Sequence, residues 1–297
     1  MTAEQERIAM VVAADAAIFP LLVGLRRSLV GLDRSRFALC LIDLGLTPAQ
    51  RAYIAPLMDK VENIDDDRLV RPAADIIANI EPSVPFWRAL TSRPYIPDYF
   101  PGYRGYINVD ADVWFQKLDV LNYMAGEIDA GRLVIAPEMD PAYNLFHSAS
   151  AHEEFVKDKR TLTRVFFGDS LADMTAPMPY YNIGLYGLPA GAKHWELFKH
   201  YLTEITKEKF HFLCESVVFN MVMLQLRGFA LMPATCNWMC LLADPVRGKD
   251  GLWRSPAYPF PVIEALHLTG AAKMDHYRPR GLLYDGGRYL DSIAGLW

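Results

Sequence analysis

The stretch RGYINVDADVW, Arg104 to Trp114, closes an apolar, β-branched and aromatic run (Tyr106, Ile107, Val109) with Asp110, Ala111 and Asp112. A buried parallel strand reads this way where it emerges at its carboxyl end, and that edge is where open α/β sheets take their ligands. Side chains two apart on extended backbone share a face, so Asp110 and Asp112 point the same way with small Ala111 between them. Two carboxylates so placed can hold a hard divalent cation, Mg²⁺ or Mn²⁺, that bridges protein oxygens to phosphates. Taken alone, Asp-x-Asp is better explained as a solvated turn, so its company in the chain decides.

Upstream, residues 7–14, RIAMVVAA, read as a buried strand with Asp15 directly after it, which brings Ala13 and Asp15 to the same ligand edge. Asp15 could equally cap the next helix. Leu21, Leu22, Leu25 and Leu29 give residues 18–32 one apolar helical face, FALCLID at 37–43 reads as a second strand, residues 49–58 as a helix and 61–64 as a short edge strand. Strands alternating with helices predict a mostly parallel sheet flanked by helices. The prolines from Pro72 to Pro101 come without glycine and with few serines, which predicts ordered turns rather than a linker.

A chain of 297 residues, 52% hydrophobic, can bury one sizeable α/β domain. Its net charge of -5 and the lack of a long basic run argue against a nucleic-acid partner. No leader pattern and no apolar run of membrane-spanning length is present, so the expected location is the cytoplasm, with docking at a membrane periphery left open. Cys40, Cys214, Cys236 and Cys240 lack zinc spacing and are expected as free thiols.

Beyond Asp112, three more stretches matter: LVIAPEMD at 133–140, YYNIGL at 180–185 and ALHLTGAAK at 265–273. His267 ends an apolar run and could join the two aspartates as a third metal ligand. Gly270 would allow close approach of backbone to phosphate, and Lys273 offers a point charge to a diphosphate. Arg93, just upstream of the aspartates, carries a fork of donors suited to a diphosphate, with a surface ion pair as its equal alternative. Asp140 and Asn182, each taken to follow an apolar run, supply acceptors and donors.

In this order, Arg93, Ile96-Pro97, Asp110-Ala-Asp112, Asp140, Asn182-x-Gly184 and His267-x-x-Gly270-x-x-Lys273 resemble the retaining glycosyltransferases of family 8 over roughly residues 7–275. The resemblance implies a GT-A type, Rossmann-like α/β domain over 1–297, with a nucleotide-binding half (1–112), a donor-sugar and acceptor half (113–275) that extends the fold, and a tail (276–297). It implies transfer of a hexose from a nucleotide diphosphate sugar, a UDP-sugar first of all, to a hydroxyl of a glycan, lipid-linked or protein acceptor, with retention. Mn²⁺ or Mg²⁺ would sit on Asp110, Asp112 and His267. Ala13, Asp15, Arg93, Asp110, Gly270 and Lys273 would bind the nucleotide diphosphate, while Asp140, Asn182, Glu215 and Ser216 would be the catalytic residues around the sugar.

Some positions depart from the family. ESVVFN, Glu215 to Asn220, stands where Asp-Gln is usual, so Ser216 replaces the glutamine, and Glu215 is expected to face the helix exterior. Asn237-Trp238 inverts an aromatic-Asn pair, and Met274-Asp275 follows Lys273 in place of Pro-Trp. Residues 141–181 form an insert that reads either as a lid or acceptor platform or as a helix pair with its own small core. The rival functions are a nucleotide-sugar-binding protein with little turnover and another metal-dependent phosphate-ester enzyme. A sugar nucleotidyltransferase would need a glycine-rich loop after the first strand, which AADAAIFPL lacks.

Overall fold

Strand β1 (Ile8–Ala14) sends Ile8, Met10 and Val12 to one face and Ala9 and Val11 to the other, and β2 (Phe37–Asp43) does the same with Phe37, Leu39 and Leu41 against Ala38, Cys40 and Ile42. Both faces are therefore buried under separate apolar layers, which is why these strands read as continuous hydrophobic runs. The computed structural model describes residues 6–64, 68–80 and 86–270.

Between β1 and β2 runs α1 (Phe19–Ser28), shorter than the apolar periodicity predicts, since the chain turns at Gly31. Helix α2 (Pro48–Ile54) starts at a capping box in which Thr47 and Gln50 satisfy each other's backbone amides. The edge strand β3 (Lys60–Asn63) follows. Helices α3 (Ala74–Ile80), α4 (Trp87–Ser92) and α5 (Ile96–Tyr99) carry the proline-rich stretch into β4 (Gly105–Val109) and β5 (Val113–Phe115).

The second half adds α6 (Asp119–Asp129), β6 (Val134–Pro137), the helices α7 (Ala149–Phe167) and α8 (Asp169–Thr175), β7 (Tyr181–Pro189), α9 (Lys193–Thr206) and α10 (Cys214–Leu226). Short strands β8 (Ala230–Leu231), β9 (Trp238–Met239), β10 (Val246–Arg247), β11 (Trp253–Arg254) and β12 (Ala265–His267) end the described part. The insert is a helix pair: α7 and α8 pack on each other across Gly168, whose φ of 82° suits glycine.

The main sheet has seven strands in the order β3-β2-β1-β4-β7-β6-β8. The β3-β2-β1-β4 half is parallel, β6 and β8 are parallel, and β7 runs against both β4 and β6. Strand order reverses between β1 and β4, and in open α/β sheets the crevice that takes the ligand lies beyond the carboxyl ends of the strands at such a switch point. Because β7 is antiparallel, its beginning rather than its end reaches the crevice, as the hydrogen bond from Asp110 N to Gly184 O at 2.8 Å records. Asn182 thus opens its strand rather than following an apolar run. A small sheet, β5-β12-β9, places the end of β12 beside the same edge, with His267 paired to Val113 across from β5.

Candidate active site

Asp110 leaves β4 where the ladder ends, and the turn closed by Val113 N on Asp110 O at 3.0 Å swings Asp112 back toward it. From the other side β12 delivers His267, whose Nε2 lies 3.4 Å from Asp112 Oδ1 and 3.7 Å from Asp110 Oδ2. One ligand atom from each of the three residues falls within 4.8 Å of the others, the only such metal-capable group among the described residues. Two carboxylates and an imidazole make a donor set that suits a divalent cation of the Mn²⁺ or Mg²⁺ kind.

The His267 ring packs against β7 at Gly184. A Cβ on Gly184 would stand 2.2 Å from its Cε1 and 2.8 Å from its Nδ1, so only glycine admits the ring. Beside it, Asn182 is buried at 7% exposure and makes protein contacts on both ends of its amide. Oδ1 faces Gly184 N at 2.9 Å, Asn237 Nδ2 at 2.8 Å and His267 Nδ1 at 3.1 Å, and Nδ2 donates to Glu138 Oε1 at 3.1 Å and to Met239 Sδ at 3.2 Å.

Asp110 also belongs to an ion triad whose other two members, Arg93 and Glu215, are buried. Arg93 at 7% exposure points Nη1 at both oxygens of Glu215, 2.7 and 2.8 Å away, and donates from Nη2 to Asp110. Burial alone would lower the guanidinium, but the Asp110 and Glu215 carboxylates outweigh it and hold the proton more firmly than usual. Burial pushes the Glu215 carboxyl up, against the pull of Arg93. Glu215 therefore does not face the helix exterior: at 1% exposure in the first turn of α10 it neutralises Arg93. The arginine fork is in turn occupied by carboxylates, because a guanidinium buried this deeply needs a fixed counter-charge.

Ala13 is the partly exposed residue near the end of β1, and Asp15 just beyond turns its Oδ1 onto Ala17 N at 2.9 Å and Ile18 N at 3.1 Å in the turn before α1, whose N-cap is Ile18 rather than Asp15. Gly270 follows His267 with a φ of 107°, open to close approach. Lys273 lies outside the described residues. Ser216 shares a hydrogen bond with the Tyr180 phenol, and Asn220 pins α10 to β7 by bonding both the N–H and the C=O of Tyr181, at 2.9 and 3.1 Å.

Asp140 accepts from Ala142 N at 2.9 Å in a turn, and the carboxylate that joins the Asn182–His267 side is Glu138. Pro137 ends β6, so Glu138 is the first side chain past the strand, a signal present in the sequence but masked by the acidic residue two positions later. Burial pushes the Glu138 carboxyl up to about 7. Lys159, brought in by α7, donates to Met178 O; burial pushes its ammonium down to about 8, and Glu138 opposes that shift. Lys159 carried no sequence signal, and Asn237 was marked only through the Asn237-Trp238 pair.

The fold has counterparts among solved structures. The galactosyltransferase LgtC with donor and acceptor sugar analogues superposes with a TM-score of 0.59 at 16% identity, covering 97% of this chain and 95% of that one. The chain has the GT-A glycosyltransferase fold. The bifunctional glycosyltransferase WbbM aligns with a TM-score of 0.57 at 14% identity over 90% of this chain and 46% of its own, and the glycosyltransferase GlyE of Streptococcus pneumoniae with 0.53 at 13% over 97% and 63%. No protein-family model and no curated protein sequence matches the chain. In this GT-A chain the Asp110, Asp112 and His267 group lies at the switch point of the sheet, and no helix among the described residues is long and apolar enough to cross a membrane.

Proposed function

We propose that this protein is a metal-dependent glycosyltransferase that moves a hexose from a nucleotide diphosphate sugar, a UDP-sugar in the first instance, to an acceptor hydroxyl with retention. The observation that carries the proposal is the convergence of Asp110, Asp112 and His267 at the switch point of a GT-A fold. A divalent cation held by these three residues would neutralise charge on the departing diphosphate. Ala13 and Asp15 at the end of β1 and Gly270 after β12 are assigned to the nucleotide and its phosphates, with Lys273 as their cationic partner. Arg93 fixes the direction of Asp110, and Glu215 balances its charge.

Retention without a covalent intermediate requires no protein base, because the departing phosphate oxygen takes the proton of the acceptor attacking the same face. Glu215 supports that route: tied to Arg93 at 2.7 Å, it serves as a counter-ion rather than as a base. Asp140 and Glu138 are the carboxylates left for sugar hydroxyls. The test is a panel of UDP-sugars with and without Mn²⁺. A donor at about 100 times its dissociation constant should stabilise the fold by roughly 2.7 kcal/mol, and NMR of the product from an α-linked donor should show an α-linked first product. A β-linked first product would overturn retention.

Ser216, short and engaged by Tyr180, favours one second reading, a donor-binding protein with little turnover. Stabilisation by a nucleotide sugar without product would identify it. Release of free phosphate would instead point to a metal-dependent phosphate-ester enzyme.

A further inference from the structure

Asn182 lies in the aromatic-Asn-x-Gly stretch whose amide the sequence resemblance assigns to the sugar, yet its hydrogen-bonding capacity is already used within the protein. An asparagine amide has one acceptor oxygen and two N–H donors. Here the oxygen faces the Gly184 N–H, the Asn237 amide nitrogen and the His267 ring, while the two N–H groups have Glu138 and Met239 sulfur as partners. The backbone N–H of Gly184 can only donate, so the atom 2.9 Å from it is the amide oxygen. This partner fixes which end of the amide is which.

We propose that Asn182 is a positioning residue of this centre: its side-chain oxygen, steadied by Asn237, receives the Nδ1 proton of His267 and so leaves Nε2 as the atom that faces Asp110 and Asp112. An amide oxygen has no proton to give, so a ring nitrogen 3.1 Å from it must carry one or leave two lone pairs opposed in a buried site. Metal-bound histidines are ordinarily oriented this way, by a partner on the ring nitrogen that does not coordinate. Asn237, 1% exposed and 2.8 Å from the same oxygen, stops the Asn182 amide from rotating. Gly184 completes the seat by removing the Cβ that would lift the ring. The inference rests on the proposed function only for the identity of the ligand taken at Nε2.

The test uses the full-length ¹⁵N-labelled protein, with the His267 signals assigned by their loss in His267→Gln. In the imidazole ¹H–¹⁵N spectrum Nδ1 should be of the protonated, pyrrole type both without metal and with Mg²⁺. An unprotonated Nδ1 overturns the inference. In parallel, Mn²⁺ binding is titrated by the fall of the free-ion EPR signal. Asn182→Leu should weaken it 10- to 100-fold, Asn237→Leu less, and Asn182→Asp, which keeps the accepting oxygen, should restore most of the affinity. A folded Asn182→Leu protein that binds Mn²⁺ as tightly as wild type would also overturn the assignment. Wild-type protein that binds no Mn²⁺ would remove the proposed function, while the Nδ1 signal still decides the inference.

Discussion

Gly184 and His267 are 83 positions apart in the chain and in van der Waals contact: a methyl group on the glycine would lie 2.2 Å from the imidazole Cε1. Gly184→Ala should therefore push the ring off β7 and take Nε2 away from the aspartates. Overpacking of this kind costs about 1–3 kcal/mol, so the variant should fold with a lowered Tm and show a larger loss in Mn²⁺ affinity. A Gly184→Ala protein with unchanged metal affinity would show that the ring is free to move.

Asp112 supplies the second carboxylate beside His267 and is 7% exposed. Asp112→Asn keeps its shape and removes the charge. Turnover of a nucleotide sugar should fall by at least about two orders of magnitude, since charge stabilisation of a leaving group is worth several kcal/mol. In EDTA the variant should be at least as stable as wild type, because a like charge next to Asp110 has gone. Full turnover of Asp112→Asn in EDTA would remove the metal centre from the mechanism.

The Arg93–Glu215 pair is suited to a double-mutant cycle. Arg93→Met alone leaves a 1% exposed carboxylate without its cation and should cost about 3–5 kcal/mol in urea unfolding. Glu215→Leu added to it should recover much of that loss, giving a coupling well beyond the few tenths expected of independent sites. Strictly additive costs would mean that the two side chains do not support one another.

Glu138 gives the fold a pH signature. Burial raises its carboxyl from the ordinary 4.5 to about 7 in the folded state, so the folded protein holds the proton more tightly than the unfolded chain. Its contribution is fully present below pH 4.5 and is lost as pH rises through about 7. In EDTA, Glu138→Gln should match wild type in Tm at pH 4.5, exceed it increasingly up to about pH 7, and keep a constant advantage above that. A Tm difference independent of pH would rule out that burial effect.

Local pattern was sufficient for much of the architecture. Alternating apolar strands and helices, FALCLID and IAMVVAA buried on both faces, and the Asp110–Asp112 pair at a strand's carboxyl end all follow from periods of two and about four residues along one stretch of chain. The direction of β7 does not follow from such a pattern. An apolar strand reads alike in either sense, so only its pairing with β4 shows that Asn182 and Gly184 enter the crevice at its beginning.

Side-chain partnerships were legible least of all. Arg93 reaches Glu215 across 122 positions, and His267 reaches Asn182 across 85. The sequence by itself determined the sheet's strand-and-helix alternation and proposed His267 as a third ligand beside the two aspartates. Whether Arg93 faces phosphate or carboxylate, whether Asp140 or Glu138 joins the histidine side, and which ring nitrogen meets the aspartates were decided only by tertiary structure. Hydrogen-bond partners depend on distances set when separate strands and helices pack, and buried charges take whichever counter-charge that packing brings within reach.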